Sequence, residues 1–173
     1  MVDSRGALAQ DGRRAERLEL RVPITPMQLP AVRAMAGDLA IRMDYDLDSV
    51  EDLRLAVDEA CATLAVVVEG DAPLTVVFET TRSGLHIEAW VPTAEGVDVP
   101  RDGFGWAVLA TLVDAVEGRP ATQAEVPGGD GSDSAVAVIA MDKYLPGQRP
   151  TELPGQRPTE LSGGAGQNLS VAR

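Results

Sequence analysis

Leu18-Glu-Leu-Arg-Val22 alternates apolar and polar residues, the period-two signature of a half-buried strand. Thr25-Pro26 then reads as a helix start, with threonine as N-cap and proline in the first turn. Leu29, Val32, Met35, Leu39 and Met43 follow near helical spacing, and Asp44–Leu47 forms a loop. Asp48 with Glu51 three residues on resembles a capping box. It opens a second helix to about Val68, whose main apolar stripe is Leu53, Val57, Ala60, Leu64 and Val68. Leu74–Thr80 and Leu85–Val91 are strands around Thr81-Arg-Ser-Gly84, a hairpin signature. After a loop over Pro92–Asp102, Phe104–Val116 reads as a third helix with Val108, Leu112 and Ala115 on one side. Ala121–Val126 and Ala135–Met141 read as a last strand pair around Pro127-Gly-Gly-Asp-Gly-Ser-Asp133.

Strands grouped as hairpins with helices between the groups imply an α+β fold. The expected form is a two-layer sandwich, a mixed or antiparallel sheet covered on one face by about three helices. Domain boundaries fall at about 18 and 144. Residues 1–17 are polar, small and mixed in charge, the composition of a disordered arm. Residues 145–173 contain a duplication, LPGQRPTE at 145–152 and again at 153–160. Two Pro- and Gly-rich octapeptides are too short for a solenoid and read as a disordered tail, or as a docking motif present twice.

Composition narrows the chemistry. Aromatic residues make up only 3% of the 173, so the core is built from Val, Leu, Ala and Met. Residues 18–144 hold 22 acidic and 8 basic side chains, a net charge of −14. Such a field repels nucleic acid and anionic lipid and attracts basic protein surfaces. A single cysteine, Cys61, excludes an internal disulfide and a cysteine-based zinc site. A single histidine, His86, argues against a His-ligated metal or a His-dependent triad, and its alternation with Leu85 and Ile87 places it on the sheet face opposite theirs. No apolar run reaches the roughly 20 residues of a membrane span, so a cytoplasmic location is the expectation.

The stretch Asp58-Glu-Ala-Cys-Ala-Thr-Leu-Ala-Val-Val-Val68 puts two adjacent carboxylates into an apolar run. Glu59 and Thr63 are four residues apart and share a face, and Leu55 and Val66 extend that stripe. A carboxylate against an apolar wall can act as a general base. The alternative is a helix-edge glutamate facing solvent. Gly103 and Gly105 open the third helix, either to shape the loop-to-helix turn or to let its N-terminus receive a phosphate.

The order of elements, with Leu53-Arg-Leu-Ala-Val-Asp-Glu-Ala-Cys-Ala-Thr63 and Asp102-Gly-Phe-Gly-Trp-Ala-Val-Leu-Ala-Thr-Leu-Val-Asp-Ala-Val116, resembles the RsbW-type anti-sigma factors. These are serine protein kinases of the GHKL (histidine-kinase-like) ATPase superfamily. The resemblance covers residues 18–142 and is nearest to the actinobacterial branch that governs sigma factors of the SigF/SigB kind in stress or sporulation. It implies a Bergerat-like ATPase fold in which a Glu-x-x-x-Asn box supplies a catalytic glutamate and an Mg²⁺-holding asparagine. Glu59 occupies the glutamate position, Thr63 the asparagine position, and Gly103 and Gly105 match the later glycine motif at the phosphates. The family's Asp-x-Gly-x-Gly motif, whose aspartate binds adenine, has no counterpart in Glu88-Ala-Trp-Val-Pro-Thr-Ala-Glu-Gly96. ATP and Mg²⁺ are therefore the implied cofactors of a site with one residue retained, one replaced and one motif missing.

The resemblance further implies a homodimer that sequesters an alternative sigma factor, with the helix over Met27–Met43 contributing to the contact. A STAS-domain anti-anti-sigma protein would relieve it. Two other readings stand beside this one: an active ATP-dependent serine kinase acting on that STAS protein, and a nucleotide-free interaction module with another partner.

Overall fold

The computed structural model describes residues 16–148. The arm and tail expected over 1–17 and 145–173 lie, apart from their inner ends, outside the described residues. The elements run β1 (Arg17–Pro23), α1 (Leu29–Arg42), α2 (Leu47–Ala65), β2 (Pro73–Thr80), β3 (Gly84–Pro92), α3 (Phe104–Leu112), β4 (Ala115–Thr122) and β5 (Ala135–Tyr144). The five strands form one sheet in the order β1-β2-β3-β5-β4, and every neighbouring pair is antiparallel. The expected α+β sandwich is what forms, with the sheet antiparallel throughout.

Strand alternation decides which face each residue serves. Leu74, Val76 and Phe78 of β2, Leu85, Ile87, Ala89 and Val91 of β3, and Ala137, Ile139 and Met141 of β5 join the main core. They share it with Val32, Ala36 and Leu39 of α1, Leu53, Val57, Ala60 and Leu64 of α2, and Leu109 of α3. The opposite sheet face carries a smaller core of Trp90, Val126, Val136 and Val138. The segment between β4 and β5 covers it, with the Trp90 indole N–H donating to the Pro127 carbonyl at 2.9 Å. Trp90 therefore packs in the core on the side away from the helices.

Three element boundaries differ from the sequence reading, each for a local reason. Thr25 and Pro26 form a turn, in which the Gln28 and Leu29 amides donate to the Thr25 carbonyl at 3.0 and 3.3 Å, and α1 starts one turn later. The cap of α2 is Asp46, whose carboxylate accepts from the Ser49 amide at 2.7 Å, so Asp48 lies inside the first turn. Glu51 pairs with Arg54 instead of closing a capping box. Finally, α3 stops at Leu112 because Val113 turns extended, with φ −123° and ψ 163°. The Asp114 amide then donates to the Asp142 carbonyl at 2.9 Å, and Ala115–Thr122 pairs with β5. Residues 113–116 are thus chain turning into an edge strand, and 123–126 belong to the following loop.

The helical layer is fastened at two ends. Arg33 of α1 grips Asp58 of α2 with two hydrogen-bonded contacts, Nε–Oδ1 at 3.0 Å and Nη2–Oδ2 at 2.5 Å. At the other end, Lys143 of β5 donates to Asp52 Oδ2 at 3.0 Å and to the Leu112 carbonyl at 2.8 Å, tying α2 and α3 to the sheet. Beside it the Tyr45 hydroxyl donates to the Lys143 carbonyl and accepts from the Leu85 amide at 3.0 Å. Burial pushes that phenol up to about 12.

Candidate functional site

Helix α2 lies between α1 and α3, so its two flanks meet different neighbours. The adjacent carboxylates divide accordingly. Asp58 turns to α1 and is neutralised by Arg33. Glu59 turns to α3 and has no ion-pair partner among the described residues. Glu59 and Thr63, one helical turn apart and both half-buried, meet Gly105 in the first turn of α3. A Cβ placed on Gly105 would stand 2.9 Å from Glu59 Oε2 and 4.0 Å from Thr63 Oγ1. Three of the four residues singled out from sequence are therefore in one place.

Gly103, the fourth, is the N-cap of α3 and is exposed, with open space where a side chain would project. It makes no side-chain cap bond, and α3 runs from it back along α2. Trp106, next along α3, faces the sheet. Its indole and Val99 both lie close enough that a Cβ on Gly118 of β4 would meet each at 3.0 Å. Where β3 ends, Thr93 follows Pro92; its hydroxyl is buried and lacks a hydrogen-bond partner among the described residues. Cys61 is buried beside this site, and burial, reinforced by the Asp58 charge, pushes its thiol up to about 12.

Mg²⁺ and the phosphates of ATP are hard, oxygen-ligated groups that need several open positions around the metal. As packed here, Glu59 and Thr63 do not offer them. The backbone of Gly105 rests against the carboxylate, and the space between α2 and α3 is that of a helix–helix contact. Among the described residues no group of three or more His, Cys, Asp or Glu is placed to hold a metal ion. In this arrangement the oxygen-bearing side chains brought together are Glu59 and Thr63, with Gly105 packed against both.

A three-helix layer on an antiparallel five-stranded sheet, with the glutamate-bearing helix in the middle, is the α+β architecture of the histidine-kinase-like ATPases. The chain is similar to RsbW proteins. It is 35% identical over 100 residues to the anti-sigma-F factor RsbW of Mycobacterium tuberculosis (strain H37Rv), covering 58% of this chain and 60% of that protein. It is 27% identical over 161 residues to the serine-protein kinase RsbW of Bacillus subtilis (strain 168), covering 78% of this chain and 89% of that one. The serine-protein kinase RsbW of Bacillus velezensis is likewise 27% identical, over 158 residues. The chain spans about 60% of the length of the mycobacterial relatives it matches. No family model matches it. The resemblance to RsbW-type proteins read from the residues is borne out by these likenesses.

Sequence reasoning missed two features of the surroundings. One is the Arg33–Asp58 clasp, since nothing in the chain pairs residues 25 apart. The other is the cluster on the far sheet face, where His86 lies between Asp142 at 2.8 Å and Glu88 at 3.9 Å. His86 is on the face the alternation assigned, but half-buried among acids. Its register partners, Asp142 on β5 and Glu79 on β2, become neighbours only once the strands pair.

Proposed function

We propose that this chain is an anti-sigma factor, acting as a homodimer in the cytoplasm to sequester an alternative sigma factor of the SigF/SigB kind. The observation that carries this reading is the 35% identity over 100 residues to a protein named for that role. The charge pattern supports it. A sigma factor works on promoter DNA and so presents basic surface, and residues 18–144 here carry a net −14. Capture would compete with polymerase by covering that surface, and a STAS-domain protein would restore transcription by occupying the same face of this chain. None of these steps draws on nucleotide. The test is titration of the full chain with each alternative sigma factor of its host, with sedimentation to count subunits. Binding to one of them at micromolar concentration or tighter is expected, and binding to none would sink the reading. The absence among the described residues of any helix long and apolar enough to cross a membrane accords with this setting.

A second reading, a serine kinase acting on the STAS protein, is favoured by the names of the two Bacillus relatives. It requires α3 to lift away from Glu59 and Thr63 before Mg·ATP could enter. Calorimetry with millimolar Mg·ATP decides it: heat together with phosphorylation abolished by Glu59→Ala supports the kinase, and no heat eliminates it.

A further inference from the structure

The flank of α2 that meets α3 continues outward as a surface. Along α2 the stripe Leu55, Glu59, Ala62, Val66 runs at spacings of four, three and four, so it stays on one side of the helix. Leu55 is 45% exposed and Val66 78% exposed. Phe104, one residue before the Gly105 contact, is 86% exposed, although it is one of only two phenylalanines in the chain. Because Gly105 meets Glu59 and Thr63, and Leu112 lies by Asp52 through Lys143, the two helices run antiparallel. Phe104 is therefore at the Val66 end of α2. Phe104 and Val66 thus expose an aromatic and an aliphatic side chain at the same end of the α2–α3 pair, and exposed apolar side chains grouped together mark an interaction surface.

The rim of this surface identifies the occupant. Glu59 lies within it, Glu69 beyond its Val66 end, and Asp102 just before Phe104; none has an ion-pair partner among the described residues. The cation nearest in the chain to Asp102 and Phe104, Arg101, is already paired with Asp98 at 2.7 Å, and Arg54 of α2 lies on the other flank against Gly37 of α1. A second copy of the chain would bring the same uncompensated acids against themselves. Nucleic acid and anionic lipid would meet the same repulsion. Two antiparallel helices leave a groove of the width that accepts a third helix.

We propose that the α2–α3 surface around Phe104, Val66 and Leu55 docks a basic amphipathic helix of a partner protein. The apolar side of that helix would cover Phe104 and Val66, and its lysines or arginines would meet Glu59, Glu69 and Asp102. Docking there would seat the partner directly over the Glu59–Gly105 contact and would hold α3 against α2. This holds whether or not the partner is a sigma factor.

The probe is a fluorescent peptide of about 18 residues, leucine and lysine at helical spacing, titrated into the full chain at about 0.15 M salt. A scrambled peptide of the same composition serves as control. Binding at least about tenfold tighter than the scrambled peptide is expected. The Val66→Ala, Phe104→Ala double variant should fall to the scrambled level, while Leu47→Ala, exposed at the opposite end of α2, should bind as the parent does. Absence of binding, equal binding of the scrambled peptide, or loss confined to the Leu47→Ala variant would each overturn the proposal. Because both altered residues are exposed, the variants should melt as the parent does. Sigma-factor binding, titrated separately, would be unaffected as a claim by any of these failures.

Discussion

Between Asp142 and Glu88 the imidazole of His86 is driven up to about 10, by hydrogen bonds to Asp142 and then Glu88, against the opposing cost of burial. Glu79 faces it across β2, and Arg119 bonds Glu88 at 3.3 Å, so the ring stands in a net acidic cluster. A histidine raised in the folded state stabilises it fully below its unfolded value near 6.5 and loses that contribution as pH rises through about 10. Comparing urea midpoints of the parent and His86→Gln across pH 6 to 10.5 should show the largest gap at the acid end and convergence at the alkaline end. A constant gap would contradict the charge assignment. The two buried threonines make a separate point. Among the described residues the Thr75 and Thr93 hydroxyls find no partner, and an unsatisfied buried hydroxyl costs about 1–3 kcal/mol. Thr93→Val should therefore raise stability by about 1 kcal/mol, read as an increase in melting temperature, because valine keeps the shape and removes the orphaned group.

At the scale of elements, the start of α2 and its contact with α3 carry the clearest consequences. Asp46, not Asp48, satisfies the open end of α2, so Asp46→Ala should lower stability measurably while Asp48→Ala should change it far less. Chemical denaturation of the two variants separates the cap from its neighbour. Gly105 poses a different balance. Alanine there gains helix propensity of about 1 kcal/mol but directs a methyl at the Glu59 carboxylate. The carboxylate is the free end of a flexible side chain and can swing aside, so Gly105→Ala should fold without loss of stability. Gly105→Leu should prise α3 from α2 and lower the melting temperature markedly, because Trp106 would then be drawn off Gly118.

At the scale of the whole molecule, the charge outside the paired residues is the dominant feature. With a net −14 over residues 18–144, the folded chain repels itself at low ionic strength. Raising salt from about 10 to 300 mM should raise the melting temperature, since screening relieves that repulsion, and should slow association with a basic partner. A melting temperature independent of salt would mean that the carboxylates are compensated by contacts beyond those described. The sheet shows a related economy. Its helix face holds the main core, whereas the other face has only a small apolar patch under the β4–β5 loop, beside charged pairs such as Arg119–Glu88. The helices and that loop therefore carry unequal shares of the burial, and stability rests chiefly on the helical layer.

Period-two and helical-period patterns were enough to locate the strands β1, β2, β3 and β5 and the bodies of α1 and α2, because each has one face that must leave water. They also established the acidic field, the buried lone cysteine and the resemblance carried by Glu59 and the 103–116 stretch. Local pattern failed where a segment's fate depends on a distant partner. Residues 113–116 looked like the end of a helix and 121–126 like a strand, yet the edge strand β4 runs over 115–122 because β5 supplies hydrogen bonds to Asp114 and the residues after it. The pairing of Asp58 with Arg33, the protonation of His86 and the closure of Gly105 onto Glu59 are decided the same way. Each joins groups far apart in the chain, and only their packing sets the distances on which charge and access depend.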